Sequence, residues 1–196
     1  GRLLPLFGRL LRLHARLLLG IAGGVMLFEV FMVWVSAQMG GGRGFEIFLE
    51  QVLPPEMQSL IYDQFGVGSF EGAVAFGFQH PMFLAAVVAF IVAAATTPAA
   101  ERETGYMDLV LARPVSRPVY LTATLLLVAT GALVLPVAIL AGVLVGLATV
   151  DAVPQGLTWV DYIPAAASLA AALLAVGGIG ILAAGSASRR GPAVGR

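Results

Sequence analysis

Residues Glu101 to Pro118 read ERETGYMDLVLARPVSRP. They form a charged interval between two long apolar runs, and that contrast decides the fold. Three acids (Glu101, Glu103, Asp108) and three arginines (Arg102, Arg113, Arg117) surround an apolar block of Tyr106, Met107, Leu109, Val110 and Leu111. Successive helical turns would present this block to a partner, as a docking helix does. Pro114 disfavours helical backbone at Arg113 before it, and Pro118 fits the first turn of a following helix, where no donor is lost. The spacing therefore predicts a short helix between two separate elements.

The flanking runs dominate the composition. Of 196 residues 59% are hydrophobic and 11% charged, and the mean hydropathy is +0.95. That leaves too little polar surface for an ordinary soluble domain, so an all-α, polytopic transmembrane helix bundle is expected. All eleven basic residues are arginine, and without lysine no G-x-x-x-x-G-K-[ST] phosphate loop is possible. The chain does not bind ATP that way. The absence of cysteine rules out disulfides and thiolate metal sites and leaves the redox compartment open. No H-E-x-x-H, no G-x-S-x-G and no cluster of His and Glu occurs, so no catalytic residue, metal or cofactor is expected in this chain. The arginines lie beside apolar runs and are not interleaved with aromatics, which argues against nucleic-acid binding.

Taken in order, the chain reads as one transmembrane domain with four spans. In residues 1–16, Arg2, Arg9, Arg12 and Arg16 share one helical stripe opposite leucines. This is either an interfacial amphipathic helix on anionic headgroups or a positive flank that orients the first span. Span one is placed at 17–38. A leader cleaved after Val35-Ser36-Ala37 is the rival reading, and the long basic region, the length of the apolar run and Glu29 stand against it. Glu29 is the one ionisable residue placed within a span, where a carboxylate costs roughly 2.5 to 3.5 kcal/mol. Counted at about 1.5 Å per residue, Thr130 of span three reaches a similar depth and is its candidate partner on a translocation path. The alternative is a protonated acid hydrogen-bonded between helices.

Residues 39–81 are expected as an outer amphipathic loop of two short helices, divided at Pro54-Pro55, that either pack at the interface or cap a ligand. Span two is predicted at 82–100, with His80 and His14 treated as interfacial hydrogen-bonding residues and not as ligands. The charged segment occupies 101–118, span three 119–150 with a kink or tilt at Pro136, an outer loop 151–161, span four 162–184, and a tail 185–196. Gly20-x-x-x-Gly24 and Gly142-x-x-x-Gly146 are candidate close helix contacts. In this layout every arginine except Arg43 falls on one side, which the positive-inside rule makes cytoplasmic, the N-terminus included.

The same segment carries a family resemblance. Glu101, Gly105, Asp108, Leu109, Val110, Leu111, Ala112, Arg113, Pro114, Val115, Ser116 and Arg117 are arranged as in the cytoplasmic loop of type-two, exporter-like permeases of ATP-binding-cassette transporters. Tyr106 stands where that family usually has Thr or Ser after the glycine. The resemblance implies a coupling segment in which Glu101, Arg102, Glu103, Gly105, Tyr106, Met107, Asp108, Leu109, Leu111, Arg113, Pro114 and Arg117 dock on a separate ATPase subunit. It further implies that ATP and Mg bind on that subunit, that two permease copies or homologues pair, and that the site of action is the bacterial cytoplasmic membrane. Family members usually carry about six spans. With four counted, a start at Gly1 and an end at Arg196 in a Gly/Arg/Ser stretch, the chain is expected to be a fragment of a longer protein. Two other classes stay open: an ATPase-independent membrane enzyme or secondary transporter using Glu29, and a non-transporting membrane anchor or signalling subunit.

Overall fold

The computed structural model describes residues 3–38, 47, 50–55, 57–58, 69–105, 116–151 and 153–186. Among these residues there is no strand. The α-helices described from end to end are, in order, α1 (Leu3–Gln38), α2 (Phe70–Ala75), α3 (Pro81–Ala95), α4 (Thr97–Glu103), α5 (Arg117–Thr149) and α6 (Ile163–Ser186). Short 3-10 turns at Phe76–Gln79 and Trp159–Tyr162 lead into α3 and α6. Among the described residues four stretches are long and apolar enough to cross a membrane: Leu3–Gln38, Phe70–Ala95, Arg117–Thr149 and Trp159–Ser186. The protein is an all-α polytopic helix bundle. Only helices satisfy every backbone donor and acceptor locally in lipid, which is why runs of Leu, Ala and Val this long resolve as they do.

The ends of the elements follow from particular residues. Ser69 Oγ accepts from Gly72 N at 3.0 Å and starts α2. Thr158 and Asp161 form a capping box at the turn before α6. Span two differs from its predicted extent of 82–100, because α3 stops at Ala95 and α4 begins at Thr97 after a turn at Thr96. Pro98, in the first turn of α4, has no N–H to offer the Ala94 carbonyl, so the chain restarts a helix there. Pro136, by contrast, lies inside α5, which is helical on both sides of it. Likewise α1 is one helix from Leu3, with no break between residues 16 and 17.

The chain divides into two compact units. The first takes Gly1–Ile21, Ala85–Leu135 and Ala170–Arg196. Its core holds Leu10 of α1, Phe90 and Ile91 of α3, Leu127 of α5 and Leu173 of α6. The second takes Ala22–Leu84 and Pro136–Leu169, with Val33 of α1, Val74 of α2, Val143 of α5 and Tyr162 buried. Here Gly142 and Gly146 face α1, where a Cβ on Gly142 would lie 2.5 Å from the Met26 carbonyl and one on Gly146 2.7 Å from Val33 Cβ. That glycine spacing serves a close helix contact. Among the described residues nothing lies within 4 Å of a Cβ added to Gly20 or Gly24.

Candidate functional site

Two clusters of polar side chains stand out, one in each unit. In the first unit, α4 carries Glu101, Arg102 and Glu103 and ends at Thr104 and Gly105, whose φ of 72° is the left-handed conformation that closes helices. Glu101 is only 8% exposed, and both of its carboxylate oxygens are used. Arg9 Nη2 of α1 donates to Oε1 at 2.7 Å, and Tyr120 Oη of α5 donates to Oε2 at 2.5 Å. Both bonds are charge-assisted, and the ion pair lies partly out of water, which strengthens it.

The neighbouring positions of α4 reach further helices. Arg102 Nη2 donates to the Ala184 carbonyl at 2.7 Å, in the last turn of α6, where carbonyls lack an intrahelical partner. Ala99 and Ala184 are both fully buried in one cluster. The His14 ring pairs through Nε2 with Thr97 Oγ1 at 3.3 Å and through Nδ1 with the Leu10 carbonyl at 2.9 Å, and meets the Phe90 ring edge-on. Arg117, the first residue of α5, is exposed. Of the predicted docking residues, Tyr106, Met107, Asp108, Leu109, Leu111, Arg113 and Pro114 lie outside the described residues.

In the second unit Glu29 of α1 is fully buried, and neither carboxyl oxygen has a hydrogen-bond partner among the described residues. Two glycines make room for it. A Cβ on Gly77 would collide with the Glu29 carboxyl group, and one on Gly142 would come within 2.7 Å of Glu29 Cβ. The Phe28 ring beside it stacks on Phe83 at 4.1 Å and lies 5.0 Å from His80, whose Nδ1 is buried without a partner among the described residues. Phe78 stacks parallel to Tyr162 at 6.3 Å. In the first unit, the Thr130 hydroxyl donates to the Leu126 carbonyl of its own helix at 2.7 Å. Among the described residues, no group of three or more His, Asp or Glu could hold a metal ion.

Sequence patterns do not announce Arg9, Tyr120 or His14 as part of the first cluster. Arg9 is 92 residues from Glu101 and His14 is 83 from Thr97, so no local spacing joins them. The available signal was the arginine stripe of α1 beside a segment that begins with an acid. The Glu29–Gly77 contact had none.

A family model described as ABC-2 family transporter protein matches residues 48–190, which takes in both α4 and the charged segment. No curated protein and no solved structure matches the chain.

Proposed function

Because the chain belongs to the ABC-2 family of transporter proteins, and is therefore a multi-pass membrane subunit of an ABC transporter, we propose that it moves substrate with ATP hydrolysed by a partner. The family as a whole associates with ATP-binding subunits. In this reading residues 101–118 dock on such a subunit at the cytoplasmic face of a bacterial plasma membrane. Tyr106, Met107, Leu109 and Leu111 supply apolar area, while Glu103, Asp108 and Arg113 set register through charge. Glu101 and Arg102 begin the segment and tie it to the spans. ATP and Mg sit on the partner, this chain does no chemistry of its own, and a second permease copy completes the path.

The observation that carries this reading is the anchoring of the start of the segment. A loop that merely joined two spans would need no buried acid held by donors from α1 and α5. Support for the orientation comes from charge: among the described residues every arginine, Arg9, Arg12, Arg16, Arg102 and Arg117, falls in the first unit. Detergent pull-down of the full-length protein tests the reading. An ATPase should co-purify with the wild type and be lost from Asp108→Arg combined with Leu111→Asp, with the membrane protein still folded. No ATPase with either sample sinks the reading.

One observation favours a second reading, a secondary transporter or membrane enzyme that works without ATP. It is the buried Glu29 carboxyl group, which no hydrogen bond among the described residues explains. Such a protein would stay active in a preparation free of any ATPase, so the same pull-down separates the two.

A further inference from the structure

We propose that Arg9 and Tyr120 are positioning residues for ATP-driven coupling, forming with Glu101 a joint that carries displacement of α4 into α1 and α5. The inference rests on the permease reading above and adds a route from the docking segment to the spans. Neither Arg9 nor Tyr120 belongs to that segment.

The α4 helix has 7 residues, Thr97–Glu103, between the turn at Thr96 and Gly105. A helix that short does not persist by itself, so its side chains fix where it lies. Glu101 gives one carboxylate oxygen to α1 and the other to α5. Sliding α4 along either helix would break a charge-assisted bond. Arg102 adds the bond to the end of α6, and Thr97 adds a second link to α1 through His14. Three helices are thereby tied to the one short element in which the charged segment begins.

The direction of Glu101 is what separates a joint from a plain docking surface. An acid meant for the partner would stand in solvent, whereas this carboxylate is turned inward and its ion pair is only 10% exposed on the Glu101 side and 29% on the Arg9 side. A push arriving at Gly105 therefore reaches α4, and α4 moves with the parts of α1 and α5 that carry Arg9 and Tyr120. A pair that only stabilised the fold would lower stability when broken. A joint does something else as well: with the ATPase still bound, the spans stop responding to nucleotide.

The test uses the full-length protein with its co-purifying ATPase in lipid nanodiscs, carrying Thr149→Cys as a reporter. These 196 residues contain no cysteine, and Thr149 is exposed at the opposite end of α5 from Tyr120. Maleimide labelling is timed with and without ATP plus vanadate. The rate should change at least about 3-fold with the nucleotide trap when the joint is intact. Tyr120→Phe and Arg9→Gln should each cut that response by at least about two-thirds, with the ATPase bound in the same ratio and still hydrolysing ATP. The exchange Arg9→Glu with Glu101→Arg should restore at least half of it. A full response in Tyr120→Phe and Arg9→Gln overturns the joint, as does an unresponsive reporter in the intact protein. Should Arg9→Gln fail to fold, Tyr120→Phe, which loses a single hydroxyl, decides the matter. Failure of any ATPase to co-purify with the wild type is seen before labelling starts; it overturns the permease reading and this inference with it.

Discussion

Among the described residues Glu29 and Glu101 are the acids that lie buried, and their surroundings differ in kind. Glu101 has a donor for each oxygen, whereas Glu29 has none among the described residues and is fitted by backbone, against Gly77 and Gly142. The sequence exposed Glu29 as an anomaly, one acid in an apolar run, but not what surrounds it, because glycine contributes no pattern to read. Gly77→Ala should therefore lower stability by about 1–3 kcal/mol through overpacking. Glu29→Ala in the same protein removes the colliding group, so the two changes should be non-additive by at least about 1 kcal/mol. Thermal unfolding of the four proteins in detergent measures this, and simple additivity would mean that the Gly77–Glu29 contact is not as described.

At the scale of elements, the ends of α4 are set by two residues with different physics. Pro98 cannot continue α3, and Gly105 takes a backbone conformation that side chains disfavour. Gly105→Ala should cost about 1 kcal/mol at that φ of 72° and weaken retention of the ATPase, while leaving the spans helical. Circular dichroism together with co-purification checks both halves of that expectation; unchanged stability would show that the turn needs no glycine. The apolar run from which span four was expected at 162–184 is carried by the helix Ile163–Ser186. It did not reveal the break at Thr96, since alanine-rich sequence runs smoothly across it and the proline that causes it comes two residues later. The anchoring of α4 was illegible for another reason: its partners, Arg9 and Ala184, come from the two ends of the chain.

The whole molecule follows from how charge and apolar length are distributed. Among the described residues four apolar helical stretches make the bundle, and exposed side chains such as Leu4, Leu27 and Leu182, each more than two-thirds accessible, are where lipid would lie. The described arginines all fall in the first unit, together with Glu101 and Glu103, while the other described acids, Glu29, Glu50, Glu71, Asp151 and Asp161, fall in the second. That sorting was plain in the sequence because it depends on composition and order alone. The central claim is that the 101–118 segment meets an ATPase at the arginine-rich face. The most direct measurement is photocrosslinking in intact cells, with a photoreactive residue at Asp108 or at Asp151 of the full-length protein. An adduct containing an ATPase subunit should form from position 108 and not from 151. No such adduct from 108, or equal capture from 151, would contradict the account.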